Sequence, residues 1–229
     1  MISMKSFKFL IAGAFAFAVI ACGGPKETHV VFETTMGDLD FLLYEETPLH
    51  KANFVEHVSN HDYDGMTFNR VIKDFMIQGG ISDVEYETNP LYTSQPRENY
   101  SVPGEFRLED GIYHRKGVLG AGRADNDVNP TMSSYQMQIY VTWGRVFDDA
   151  GLDRTQERID RETGGKIKLT DEMREVYKTI GGTPPLDGQY TVFGEVAEGM
   201  DVFERIINTP TDSLDAPLTP VVIKRAYVK

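Results

Sequence analysis

Short runs of β-branched and aromatic residues, each closed by turn residues, recur along the chain and set its predicted architecture. They place strands at His29–Thr35 and Gly37–Tyr44, joined by a tight turn at Met36-Gly37. Further strands are expected at Thr67–Lys73, Phe75–Gly79, Gly117–Ala121, Gln138–Thr142, Thr191–Val196 and Val221–Val228. Strand alternation puts Phe68, Arg70 and Ile72 on one side of the third strand. After a turn near Lys73-Asp74, Met76 and Gln78 share one side of the next. Two framework segments change period. From Pro48 to about Asn60, Leu49, Ala52 with Asn53, and Val55 with Glu56 step at helical spacing, and Thr47-Pro48 supplies a start. Met200–Ile207 reads as a short amphipathic helix, whereas residues 81–112, rich in Asn, Pro, Ser, Glu and Tyr, read mainly as loop. Many short strands with two helices predict a mainly β fold, a sandwich or a closed barrel.

From Arg145 to Ile180 the chain departs from this pattern. The segment is charged and helix-favouring, with helices expected at Asp153–Thr163 and Asp171–Thr179 divided by Gly164-Gly165. It reads as a helical insertion, about 145–180, packed on a β domain. Its charge run is most simply a solvated helical face, and a partner-docking face is the alternative.

The first residues read as a targeting segment. Lys5 and Lys8 flank the start of an uncharged run from Phe9 to Ala21, 13 residues long. A helix needs about 20 apolar residues to span a bilayer. A basic start, a short apolar run and a small-residue end predict an export signal over residues 1–21. Val19-Ile20-Ala21-Cys22 resembles the lipobox of bacterial lipoproteins, which implies cleavage before Cys22 and acylation of its sulfur and new amino group. Several acyl chains, each contributing about 0.8 kcal/mol per buried methylene, would then hold the protein at a membrane of the cell envelope. Gly23, where some inner-membrane lipoproteins carry Asp, tilts this toward the outer membrane. An ordinary secreted protein with an incidental thiol is the alternative. Cys22 is the only cysteine, so no intrachain disulfide forms. Residues 22–28 form a tether and residues 29–229 one domain.

Charge narrows the partners. Without Lys5 and Lys8 the chain carries 21 basic against 35 acidic residues, a formal net charge of −14. Such a surface repels phosphate backbones, so nucleic acid is not an expected partner.

The most telling stretch is Phe68-Asn-Arg-Val-Ile-Lys-Asp-Phe-Met-Ile-Gln-Gly-Gly80. It sets one arginine and one glutamine among Phe, Met and β-branched residues, with no nucleophile, metal cluster or phosphate loop. A planar five-donor fork beside an apolar surface suits holding an amide without attacking it. Phe68-x-Arg70 and Phe75-Met76-x-Gln78-Gly79-Gly80 resemble the central signature of the cyclophilin-type peptidyl-prolyl isomerases. Thr35-x-Gly37, Pro48, Asn53-Phe54-Val55 and Tyr63-Asp-Gly65-Met-Thr-Phe68 are similar to the same family. So are Gly117-Val-Leu-Gly-Ala-Gly122-Arg123-Ala124, Gln138-Ile-Tyr140-Val141 and Leu186-Asp-Gly188-x-Tyr190-x-Val-Phe193-Gly194-x-Val196-x-x-Gly199-Met200. The ordered series spans most of residues 29–229. Lipoprotein forms of the family carry a comparable helical insertion.

This resemblance implies an eight-stranded antiparallel barrel closed by two helices, and isomerisation of X-Pro bonds in exported or unfolded polypeptides without a cofactor. It implies that Arg70 is the main catalytic residue, with Phe75 and Gln78 beside it. Phe75, Met76 and Tyr140 would line the proline pocket, with Leu186 at its edge. The backbone of Gly122 and Arg123 would pair with residues preceding the proline, and Gln138 and Tyr190 would complete the polar rim. Gln136 stays open as an alternative to Gln138. The chain departs from the family at Pro185, where Trp is frequent, at Tyr190 for His, at Tyr140 for Phe and at Ile81 for an acid. The loss of Trp implies weak cyclosporin binding. The rival activity is a holdase that captures proline-containing segments without turnover; a purely structural envelope lipoprotein would bind no peptide.

Other candidates have blander readings. His57 and His61 stand at helical i, i+4 spacing, which could serve a metal but reads as a solvated face. Asp125-x-Asp127-x-Asn129 starts like a calcium loop, yet Pro130 stands where glycine is needed and Gln136 where glutamate is, so an ordinary turn is expected.

Overall fold

The structure, a computed structural model, describes residues 27–81 and 101–229. Expectations for Lys5, Lys8, Cys22 and residues 82–100 lie outside the described residues. In chain order the elements are β1 (Thr28–Thr34), β2 (Gly37–Leu43), α1 (Pro48–Ser59), β3 (Thr67–Phe68), β4 (Arg70–Ile72), β5 (Met76–Gly79), β6 (Val118–Ala121), β7 (Ile139–Thr142), α2 (Asp149–Thr163), α3 (Asp171–Thr179), β8 (Val192–Glu198), α4 (Met200–Ile207) and β9 (Val221–Val228). Among the described residues no helix is long and apolar enough to cross a membrane.

The strands form one sheet in the order β3-β9-β1-β2-β8-β6-β7-β5-β4, and its paired neighbours are antiparallel. Its two edge strands, β3 and β4, are separated in sequence by Asn69 alone, so the sheet curls nearly closed into a barrel. Eight strands were expected; the ninth arises because one breaks. That break corrects a local reading. Phe68 and Arg70 do not share a side: Phe68 is fully buried and pairs with Val221, whereas Arg70 is exposed and pairs with Gln78. Val71, not Phe68, is the inward neighbour of Arg70. Between pairing with β9 and pairing with β5 the chain resets its alternation at Asn69, whose amide reaches the Gly80 carbonyl at 3.5 Å.

The paired glycines make this close approach possible. A Cβ on Gly79 would lie 3.1 Å from the Phe68 ring, and one on Gly80, which has φ of +76°, would lie 1.8 Å from the Met137 carbonyl oxygen. Only glycine combines that dihedral with that clearance.

The barrel is filled from both its strands and its helices. Phe32 sits among Phe41, Phe54 and Tyr63, with ring centroids 5.3–5.8 Å away. α1 contributes Phe54 and Val58, and α4 contributes Val202, Phe203, Ile206 and Ile207 to the same core. Each such side chain contributes roughly 1.5–3 kcal/mol by leaving water.

Thr47 precedes α1 but makes no capping bond. The buried Glu105 carboxylate does so instead, accepting from Leu49 N at 3.1 Å, His50 N at 2.9 Å and His50 Nδ1 at 2.7 Å. A carboxylate there meets both the orphan N–H groups and the positive end of the helix dipole. Burial holds the His50 pKa below the ordinary imidazole value, although Glu105 pulls the other way. His57, expected on a solvated face, is buried, and its Nδ1 lies 2.7 Å from Asp62.

The insertion is a packed subdomain. α2 begins at Asp149, earlier than the expected Asp153, because Asp148 caps it by accepting from Gly151 N at 2.7 Å. Leu152, Ile159, Leu169, Met173 and Tyr177 form a second small core with Tyr113 of the barrel side. Several outward charges are paired across the two helices and their connection, as in Arg174–Asp153 at 2.8 Å and Lys168–Asp160 at 2.7 Å.

Candidate active site

One transverse line of the barrel assembles the site. Register pairs Arg70 of β4 with Gln78 of β5, Gln78 with Tyr140 of β7, and Tyr140 with Gly120 of β6. Residues directly opposite on antiparallel strands have Cβ atoms about 4.5–5.5 Å apart and share a face. The neighbouring line runs Ile72, Met76, Thr142 on that face. Gly120 is required by its neighbour, because a Cβ there would fall 2.3 Å from the Tyr140 ring. The β4–β5 hairpin turns through Asp74 at φ of +61°, with Phe75 N donating to Ile72 O at 3.0 Å, and so brings Phe75 beside Met76.

These residues line a cleft of about 630 Å³. Arg70, Phe75, Met76, Gln78, Gly122, Arg123, Gln138, Tyr140, Leu186 and Tyr190, all singled out from sequence, border it together. Gln138 borders the cleft, whereas Gln136 does not; the Gln136 carbonyl accepts from Asn53 Nδ2 at 2.7 Å. Ala124, Asp125, Asp127, Val128 and Tyr135 also line the cleft; no site role was expected for them. Asp125 and Asp127 lie in an ordinary turn, with Val128 N and Asn129 N donating to Asp125 O. They make the rim near Gly122 acidic.

Arg70 is 45% exposed at its side chain, and its Nε lies 3.5 Å from Asp215 Oδ2. The same loop braces the strand, since Asp215 O accepts from Val71 N at 2.8 Å. Arg123 is buried. Its guanidinium donates to Gln189 O at 2.7 Å and Ala124 O at 2.9 Å and stacks 4.3 Å from the Tyr190 ring. Gly122 borders the cleft with its backbone already engaged. Its N–H already donates to Gln138 O at 2.7 Å, and its carbonyl accepts from Tyr135 N at 2.8 Å. Gly122 also gives clearance: a Cβ there would lie 2.4 Å from Gln138 Oε1.

Beneath the cleft runs a polar chain that sequence reading missed. The Tyr140 hydroxyl lies 2.8 Å from His114 Nε2, and His114 Nδ1 lies 2.9 Å from Asp187 Oδ1. Asp187 is fully buried and also accepts from His114 N at 2.8 Å and from the Tyr177 hydroxyl of α3 at 2.6 Å. Burial, reinforced by Tyr190 and Asp187, pushes the Tyr140 hydroxyl well above its ordinary value, so it stays protonated. Three donors on one carboxylate satisfy a charge that would otherwise be costly to bury. The chain fixes Tyr140 from below and ties the cleft floor to the insertion. His114 carries no sequence signal of this role; Asp187 stands inside the Leu186–Gly188 motif, but nothing local says what it holds.

Comparison with known proteins agrees with this geometry. The family described as cyclophilin type peptidyl-prolyl cis-trans isomerase/CLD matches residues 29–228. A Staphylococcus haemolyticus protein named "Putative peptidyl-prolyl cis-trans isomerase" is 33% identical over 208 residues, covering 89% of this chain and 92% of its own. A Staphylococcus aureus protein of the same name is 32% identical over 205 residues, covering 89% and 92%. Among solved structures, a Cryptosporidium parvum cyclophilin type peptidyl-prolyl cis-trans isomerase shares the fold with a TM-score of 0.60 at 21% identity, covering 89% of this chain and 98% of that one. The same protein in the presence of the dipeptide Ala-Pro gives a TM-score of 0.59. The chain belongs to the cyclophilin-type peptidyl-prolyl cis-trans isomerase family, and its reaction is rotation about the X–Pro bond.

Proposed function

We propose that the cleft accelerates X–Pro rotation in exported or unfolded polypeptides by holding the twisted imide non-covalently, at a membrane to which Cys22 tethers the chain. The observation that carries this reading is the single line Arg70–Gln78–Tyr140 beside Phe75 and Met76. Amide resonance opposes rotation with a barrier of about 18–20 kcal/mol, and uncatalysed exchange takes about 10–100 s. Acceleration by a thousand- to a million-fold asks for roughly 4–8 kcal/mol of preference for the twisted over the planar imide. Twisting makes the proline nitrogen pyramidal and frees its lone pair. Arg70 donates to that nitrogen or polarises the adjoining carbonyl, while its Nε lies 3.5 Å from Asp215 Oδ2. Phe75, Met76, Tyr140 and Leu186 take the ring. Gln78 holds the peptide backbone, Arg123 offers its own backbone on the side preceding the proline, and Gln138 and Tyr190 supply the rim. No step calls for a cofactor.

The test is exchange spectroscopy or a protease-coupled assay on an X-Pro peptide, with Arg70→Ala as control. Peptide affinity without faster interconversion would replace the enzyme with a holdase, and no affinity at all would leave a structural envelope protein.

Pro185, in the turn Pro184–Leu186, faces the neighbouring cleft and offers no indole to a cyclic ligand. Cyclosporin is therefore expected to bind weakly, and a nanomolar titration would contradict this. For the tether, palmitate labelling in a bacterial host is expected for the full chain and absent for Cys22→Ser, which should be released from membranes. Equal membrane association of the two forms would remove Cys22 from the account.

A further inference from the structure

We propose that the helical insertion builds a second subsite, contiguous with the first cleft, that takes an acidic side chain of the bound polypeptide on the carboxyl-terminal side of the proline. This rests on the reading of the first cleft as the proline site. The second cleft, about 550 Å³, lies between α2 and the barrel and shares Phe75 and Leu186 with the first. An extended chain that pairs with Arg123 and crosses the proline slot runs on into it.

Its chemistry opposes that of the whole molecule. The chain has a formal net charge of −12, yet Lys73, Arg145, Arg154 and Arg158 line this cleft against one acid of the lining, Asp74. Arg154 and Arg158 stand at i, i+4 on α2, a like-charge spacing that disfavours an isolated helix. Glu162 accepts from Arg158 Nε at 2.7 Å. Arg145 lies 4.9 Å from the Phe147 ring centroid. Neither Arg145 nor Arg154 has an ion-pair partner among the described residues, although Asp149, Asp153 and Asp160 of the same helix are paired elsewhere. Thr183, also in the lining, has a buried Oγ1 without a hydrogen-bond partner among the described residues. At the far end of the first cleft, Asp125 and Asp127 present the opposite sign. The combined groove is thus negative near Gly122 and positive beyond Phe75. Guanidinium forks beside an aromatic ring suit a carboxylate, which they bind in bidentate fashion.

The test uses peptides that differ only in carrying Glu, Gln or Lys at successive positions after the proline. Turnover and affinity are measured separately, affinity by NMR shift titration, which needs no catalysis. At low salt the best Glu peptide should bind about three- to tenfold tighter than its Gln counterpart, as expected for one or two half-exposed ion pairs. The gap should shrink as salt screens it. In Arg145→Ala/Arg154→Ala the Glu-to-Gln ratio should fall to about one, and in Arg145→Glu/Arg154→Glu the Lys peptide should be preferred. Equal binding of Glu and Gln peptides by the parent chain, unchanged discrimination in the variants, or an acidic preference only before the proline would overturn the inference. Turnover of the Gln peptide without charge discrimination sinks the subsite and leaves the isomerase standing. Charge-selective binding without turnover does the reverse.

Discussion

Arg70→Ala is expected to lower kcat/KM for X-Pro isomerisation by about 10²–10³-fold, the usual cost of deleting one donor aimed at a developing charge. Peptide affinity should change far less, because the apolar slot of Phe75, Met76 and Tyr140 remains. The melting temperature should hardly move, since the side chain is half-exposed and its contact with Asp215 is a surface ion pair of at most about 1 kcal/mol. Arg70→Lys keeps the charge but not the planar fork, and should recover only part of the loss. Activity of Arg70→Ala within about threefold of the parent, measured by exchange spectroscopy at matched folding, would remove Arg70 from the catalytic step.

Asp187→Ala should give the largest loss of stability. The substitution leaves His114 Nδ1, His114 N and the Tyr177 hydroxyl without their buried acceptor. Breaking a buried, hydrogen-bonded charge from one side typically costs about 3–5 kcal/mol. For a domain of this size each kcal/mol lowers Tm by about 2–4 °C, so a fall on the order of 6–20 °C is expected in thermal unfolding. Activity should decline as well, because Asp187 anchors the turn that carries Leu186 at the cleft edge. Tyr140→Phe separates the two effects: it removes the hydroxyl bond, keeps the ring in the slot, and should retain most turnover. A Tm shift of Asp187→Ala below about 3 °C would show that the polar chain carries little of the fold's stability.

Most element positions were legible because their causes are local. Lys73-Asp74 is a turn by residue chemistry, the first hairpin turns at Thr35-Met36, one residue before the expected Met36-Gly37, and Met200–Ile207 and Val221–Val228 are recovered at their expected bounds. The cleft residues were legible through an ordered motif series, which is long-range information carried by resemblance. Asn69 was not, because nothing in Phe68-Asn-Arg says that hydrogen bonding passes from β9 to β5 at that residue.

Local rules along the chain account for the short strands, the two framework helices and the helical insertion, and the motif series names the arginine, glutamine and apolar residues that meet in one cleft. Alternation, turn chemistry and helix period act over a few residues, so they can be read along the chain. Long-range pairing sets the rest: Phe68 turns inward while Arg70 turns out, Glu105 caps a helix 55 residues earlier, and Asp187 holds His114 across 73 residues. It alone placed Arg145 and Arg154 beside Phe75. Those choices depend on which distant backbone and side-chain groups satisfy one another once the barrel closes, and closure leaves no local mark.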